Sequence, residues 1–201
     1  MAEARQVAKE RSRRALINAG MRLFRDQGID GPSLDAICSE AGYTRGAFYG
    51  HFRDRDDFLV AVMKEVGEPI VATLTGANAE ESDGEGGSLA SIAARFMAAF
   101  ADGSYPLAPQ GGIRPHQLFA ACARSPALRE HYVALVGEAT ERLAVAIRSD
   151  QERGFLRADI DADALASGLL VLVVGGQSLA EIDSPIDLGS TTGALLTMLR
   201  P

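Results

Sequence analysis

The chain has 201 residues, 47% apolar and 23% charged, with a mean hydropathy of +0.02. That balance excludes a disordered or fibrous chain and fits one domain, or a small module joined to a larger one. The net charge of −7 excludes a generally cationic binder, yet residues 1–25 carry seven Lys or Arg against two acids while residues 58–201 sum to −8. A basic arm on an acidic body suggests a nucleic-acid contact at one end only.

Two cysteines, Cys38 and Cys122, require no disulfide framework, and they have no metal-ligand spacing. His51, His116 and His131 with scattered acids form no metal motif, so no metal and no cofactor are expected. No uninterrupted apolar run reaches 18 residues, and the basic N-terminus has no apolar segment behind it. These features predict no membrane contact, no signal peptide and a cytoplasmic protein.

Taken in order, the chain reads as helices joined by short loops. Leu16, Ala19, Gly20, Leu23 and Phe24 keep helical spacing over Arg11–Phe24, and Gly28 with Asp30-Gly31-Pro32 stops that helix. Ser33 is a helix cap before Leu34, Ile37, Cys38 and Ala41, and Gly42 breaks the chain after about two turns. A second short segment covers Thr44–Gly50. Asp54 opens the next helix, with Phe58, Leu59, Val62, Met63, Val66 and Ile70 in one stripe. Residues 76–87, Gly-rich and acidic, read as a flexible loop.

Leu89, Ile92, Ala93, Phe96, Met97 and Phe100 form another helical stripe, followed by a Gly/Pro loop over Asp102–Gly112. A short helix covers His116–Ala123. A long one is marked by Leu128, Tyr132, Leu135, Val136, Leu143, Ala144 and Ile147 and stops near Gly154. Asp161 or Asp163 begins a helix that is apolar on nearly all sides, and Pro185 separates it from a last one ending in Leu195, Leu196, Met198 and Leu199. No sustained two-residue alternation and no internal repeat is visible. The reading is all-α, with about nine helices.

Residues 33–52, SLDAICSEAGYTRGAFYGHF, carry the chemistry. They have the helix, tight turn, helix spacing that lays one helix across the DNA major groove and the next inside it. Ala36, Ile37 and Ala41 are small or apolar where the helices must cross, and Gly42 can adopt positive φ at the turn. Thr44, Arg45 and Gly46 open the second helix, where side chains approach base edges. Tyr49 and His51 are polar aromatics placed to reach phosphates.

The frame A…LF…G…S…I…AG followed by GAFYGHFRDRDDFL resembles the DNA-binding domain of the TetR family of bacterial transcriptional regulators, over roughly residues 9–67. The resemblance implies an N-terminal three-helix helix-turn-helix domain over residues 1–53, with its motif at 33–52. It also implies a helical ligand-binding and dimerisation domain over 54–201, whose first helix, 54–73, connects the two. It further implies a non-enzymatic repressor that binds a palindromic double-stranded DNA operator as a homodimer and is released by a small-molecule effector. By the same resemblance, Ser33 is a phosphate-touching cap, Thr44 and Arg45 read bases, and Gly46 permits close backbone approach. Tyr49 is a phosphate-binding aromatic, and His51 and Arg55 are polar positions beside the DNA backbone. Tyr43, after the turn glycine, stands where a small aliphatic residue is usual, and it is counted with the DNA-facing set.

Each assignment has a plainer counterpart. Ser33 alone can be a cap, and Phe48 and Phe52 are expected in the core. Phe96, Phe100, His116, Phe119, Cys122 and Tyr132 are the candidate ligand-binding residues, although stripes at this spacing also build ordinary core. The apolar helix over 161–182 and the helix over 188–199 are expected to pair with the same helices of a second subunit, the alternative being burial within one chain. Gly175 and Gly176 fit such a role if another backbone approaches them. No phosphate loop, Ser-His-Asp frame or metal cluster points to catalysis. The rival function is an architectural or cell-division DNA-binding protein on the same scaffold, without a ligand switch.

Overall fold

The protein is described here by a computed structural model covering residues 2–75, 88–103, 113–182 and 184–201. Among the described residues there are nine helices and no strand. They are α1 (Ala2–Gln27), α2 (Leu34–Ala41), α3 (Arg45–Tyr49), α4 (Arg55–Thr75), α5 (Leu89–Ala101), α6 (Pro115–Arg124), α7 (Pro126–Glu152), α8 (Ala162–Ala180) and α9 (Leu188–Met198). The loop expected over 76–87, most of the Gly/Pro loop and the side chain of Ile70 lie outside the described residues.

Helix α1 starts well before the first apolar stripe. Its opening turns carry strong helix formers (Ala, Glu, Arg, Gln, Lys) and are exposed, so intrinsic propensity rather than burial extends it. Gly28, at φ 75°, ends it. Ser33 caps α2, its Oγ accepting the Ala36 N–H at 3.1 Å. Gly42, at φ 73°, closes α2, with its N–H donated to Ser39 O at 3.1 Å and the Tyr43 N–H to Cys38 O at 2.9 Å. That pairing is a left-handed helix stop, and it turns the chain directly into α3.

The chain divides into two compact units, Met1–Val66 with Gly112–Tyr132, and Gly67–Gly111 with Val133–Pro201. The boundary expected at residues 53/54 therefore falls inside the first unit, which also takes in α6 and the start of α7.

The first unit is built on Leu16, Ile17, Phe24, Ile37, Phe48, Phe58 and Val62, all nearly inaccessible. Phe48, Phe52 and Phe58 are in mutual contact, tilted or edge to face, with ring centroids 5.0–5.3 Å apart. Phe48 and Phe52 are thus core, as expected. The loop after α1 is gripped by two side chains of α6. Gln117 Oε1 accepts the Ile29 N–H at 3.3 Å, and Arg124 Nη2 donates to both oxygens of Asp30 at 2.6 and 2.7 Å.

The second unit buries Leu89 and Ile92 of α5, Leu143, Ala144 and Ile147 of α7, Ala162 and Ala166 of α8, and Leu199. Asp150, only 2% exposed, accepts the Leu89 N–H at 2.8 Å and an Arg153 Nη2 donor at 2.6 Å, which fixes the start of α5 to the end of α7.

Helix α8 is apolar but mostly uncovered in the single chain. Of its nineteen residues only Ala162, Ala166, Gly176 and Gln177 are buried, and α9 has no buried residue. By length and composition α8 is also capable of crossing a membrane, with a mean hydropathy of 1.5 over its 18-residue window. The expectation of no membrane-length stretch rested on uninterrupted apolar runs, of which there is still none of 18 residues, whereas this measure averages over the whole helix. The two glycines of α8 differ. Gly175 faces open space, whereas Gly176 is buried against the Leu188 side chain of the same chain.

Candidate nucleic-acid interface

Thr44 caps α3, its Oγ1 accepting the Ala47 N–H at 3.3 Å, and its extended backbone starts the five-residue helix immediately after the turn. Phe48 then points inward and is fully buried, which leaves the opposite side of α3 in solvent. Thr44, Arg45, Gly46 and Tyr49 are all exposed, Tyr49 by 54%. A Cβ on Gly46 would meet only Thr44 Oγ1, at 3.6 Å, so in the free protein nothing crowds this helix face. Ser33 is exposed at the start of α2, and Tyr43 is half-buried at the turn. Five of the eight residues singled out from sequence thus stand open to solvent.

Of the other three, Tyr43 is the half-buried turn residue, and His51 and Arg55 have partners that spacing did not reveal. The His51 ring nitrogen Nε2 lies 2.7 Å from Ser12 Oγ of α1. Ser12 donates its hydroxyl proton to Lys9 O at 2.8 Å, so in this pair the imidazole is the donor. Burial holds the His51 pKa below the ordinary histidine value; Lys9 and Arg13 push it further down, and Glu10 opposes them. Arg55 spans the turn between α1 and α2, donating through Nη2 to Ile29 O at 2.6 Å and through Nη1 to Pro32 O at 2.7 Å. Its guanidinium also lies 6.0 Å from the Phe24 ring centroid. That fork ties α4 to the loop that presents Ser33, a structural duty not evident from Arg55's position in the motif.

Two further charged contacts join these helices. Arg22 of α1 pairs with Glu40 of α2 at 2.9 Å, and Arg45 of α3 pairs with Asp35 of α2 at 2.7 Å. Asp35 had no place among the sequence candidates, because an acid in the first turn of a helix reads simply as a favourable charge at its N-terminus. An exposed, capped helix carrying an arginine, a hydroxyl and a phenol, with Lys9 and Arg13 of α1 close enough to act on His51, can offer hydrogen bonds to base edges and phosphates.

The six candidate ligand-binding residues divide between the two units. Phe119 and Tyr132 pack edge to face at 6.0 Å in the first, with Cys122 buried. Burial raises the Tyr132 phenol's pKa, and Cys122 adds to the rise. His116 is exposed. Phe96 and Phe100 lie 6.0 Å apart in the second unit. There, a partly open pocket of about 110 Å³ is lined by residues of α5, α7, α8 and α9, among them Phe96, Leu143, Leu169, Val173 and Leu196, with Thr192 the polar member. Of the six, only Phe96 lines it; Leu169, Val173 and Leu196 went unrecognised because α8 and α9 read as interface helices. Among the described residues no cluster of His, Cys, Asp and Glu is arranged to hold a metal.

Residues 16–62 match the family model described as bacterial regulatory proteins, tetR family. The chain is similar to the HTH-type transcriptional regulator AcrR of Shigella flexneri, 38% identical over 72 residues, which are 36% of this chain and 33% of the relative. It is also similar to SrpR of Pseudomonas putida, 35% identical over 75 residues, 37% of this chain and 35% of that one. These matches therefore span only about a third of the curated relatives' lengths. In fold, the chain resembles the regulatory protein TetR from Rhodobacter sphaeroides, at a TM-score of 0.73 and 23% identity, covering 92% of this chain and 97% of that one. It likewise resembles SmeT in its complex with triclosan, at a TM-score of 0.62 and 24% identity over 86% and 82% of the two chains. Through residues 16–62, its N-terminal helix-turn-helix module, this chain is similar to the tetR family of bacterial regulatory proteins.

Proposed function

We propose that the protein is a cytoplasmic DNA-binding transcriptional regulator, a repressor that holds a palindromic operator as a homodimer and lets go when a small molecule binds. The observation that carries the reading is the exposed face of α3, where Thr44, Arg45, Gly46 and Tyr49 stand in solvent opposite the buried Phe48. In this reading Thr44 and Arg45 contact base edges in the major groove, and Gly46 admits the DNA backbone. Tyr49 and Ser33 donate hydroxyls to phosphates, with Tyr43 beside them, and His51 and Arg55 set the frame in which those contacts are made. The basic start of α1 adds charge attraction.

Dimerisation is supported by α8 and α9. Val171 and Ile182 are each 73% exposed and Met198 70%, an apolar surface that a second copy would cover by two-fold pairing. Gly175, open on its outer side, suits close approach of a partner helix; Gly176 is already occupied by Leu188. Effector binding is supported by the apolar cavity beside Phe96, which suits a compact, uncharged molecule. A solved structure of SmeT, similar in fold, is a complex with triclosan.

The test is selection of bound sequences from random duplex DNA, followed by salt titration. The expected result is a two-fold symmetric site whose affinity falls by about 0.9 log unit per log unit of salt for each phosphate neutralised. Tyr49→Phe should weaken binding to all sequences alike. Enrichment of no sequence, or an affinity indifferent to salt, would refute the proposal. Gly175→Leu should shift the protein from dimer to monomer in sedimentation and lower operator affinity with it. An effector must bind the free protein more tightly than the operator complex by the factor that it weakens DNA binding. A protein that binds its operator but whose affinity no cavity ligand alters would favour an architectural role.

A further inference from the structure

Asp35 is an acid on the helix that packs behind α3, in a region whose proposed partner is polyanionic. Its cost there is plain: a carboxylate near phosphates weakens binding to every sequence alike. Its gain in stability is small, since side chains exposed by 70% for Asp35 and 57% for Arg45 form an ion pair largely screened by water. What the pair does achieve is geometric. The closest approach of the two is between Asp35 Oδ1 and Arg45 Nε, 2.7 Å apart. Both partners stand on fixed backbone. Asp35 is in the first turn of α2 behind the Ser33 cap, and Arg45 is the first residue of α3 behind the Thr44 cap, with the Gly42 stop between the helices. The thiol of Cys38 feels Asp35 and Arg45 with opposite sign, so the three groups share one neighbourhood.

We infer that Asp35 is a positioning and specificity-determining residue. It holds the Arg45 side chain so that its terminal amino edge is presented to one guanine, whose O6 and N7 accept a bidentate fork. This rests on the DNA-reading role proposed above. A free arginine samples many rotamers and contacts phosphate and base without preference; an arginine biased toward one arrangement by a neighbouring carboxylate loses less freedom when it meets the guanine. Asp35 thereby exchanges overall affinity for discrimination.

The test uses the full chain and the symmetric site recovered from random DNA. Affinity is measured at one salt concentration for that site, for the site with each guanine replaced in turn, and for mixed-sequence DNA. The proteins are wild type, Asp35→Asn, Asp35→Glu, Arg45→Ala and the Asp35→Asn/Arg45→Ala double variant. Asp35→Asn should lower discrimination at one guanine by about tenfold, within the worth of a single bidentate contact. Its binding to mixed-sequence DNA should stay equal or tighten. Asp35→Glu, which keeps the charge, should retain more discrimination than Asp35→Asn, and the double variant should discriminate no worse than Arg45→Ala alone. Unchanged discrimination in Asp35→Asn would overturn the inference, as would the same loss in the Arg45→Ala background. Tighter binding to all DNA with discrimination intact would also overturn it, by showing that Asp35 only repels phosphate. A wild type that enriches no sequence would remove the DNA-reading role itself, a result distinguishable from all of these.

Discussion

Arg55 separates two accounts of the same residue. The motif puts it beside the DNA backbone, while the structure gives its guanidinium to the carbonyls of Ile29 and Pro32 at 2.6 and 2.7 Å. Replacing it by Met keeps the aliphatic stem and removes both charged donors. A hydrogen bond from a charged group contributes about 1.5–3 kcal/mol net, which would put two of them at about 3–6. Arg55 is half-buried and water can reach the released carbonyls, so the expected cost of Arg55→Met is about 2–4 kcal/mol. For a chain of this length each kcal/mol lowers Tm by about 2–4 °C, so thermal unfolding followed by circular dichroism without DNA should show a drop of roughly 5–15 °C. Arg55→Lys, which cannot span both carbonyls as a fork, should lose about half of that. If Arg55→Met melts with the wild type and loses only DNA affinity, the clamp is idle and the residue acts on phosphate.

The other expectations are narrower. Gly42→Ala should cost about 1–2 kcal/mol through the left-handed backbone alone, since a Cβ there meets nothing within 4 Å; urea unfolding at an unchanged m-value would check it. Asp150→Ala takes the acceptor from the Leu89 N–H and one partner from Arg153, and should cost about 1–3 kcal/mol, whereas Asp150→Asn, which keeps an acceptor, should cost less. Burial lowers the pKa of both His51 and His131 below their ordinary value of 6.5, so the unfolded chain takes up protons first as pH falls. Stability should be full above about pH 6.5 and decline below it, and His51→Gln should flatten that decline; an unaltered pH profile would contradict the assigned environment.

Local signals made most of the helices legible. Ser33, Thr44 and Asp161 announce helix starts because their side chains accept a backbone N–H three residues on, and Gly28, Gly42 and Gly154 announce stops because each takes positive φ. The exposed face of α3 follows from Phe48 needing the core. What escaped was pairing between distant residues: Arg55 with Ile29, Arg124 with Asp30, Asp35 with Arg45. A charged side chain carries no periodic mark of its partner, so a motif can name the arginine and not what holds it. Likewise, an apolar stripe such as Phe96–Phe100 has the same spacing whether it lines a cavity or fills a core.

The hold of Gln117 and Arg124 on the loop at Ile29 and Asp30 bears on how the chain comes into being. The unit that carries the helix-turn-helix is discontinuous in sequence, since its last members are made only after residues 67–111 have been synthesised. A nascent chain that has emerged as far as Thr75 has every helix expected to touch DNA, yet the loop before Ser33 still lacks its two clasps from α6. Closing the Asp30–Arg124 link means bringing together points 94 residues apart, an entropic cost met once and late. Reading competence at the N-terminus is therefore completed from the middle of the chain, so that a fragment cut after α4 should fold less securely than its own core of phenylalanines would suggest.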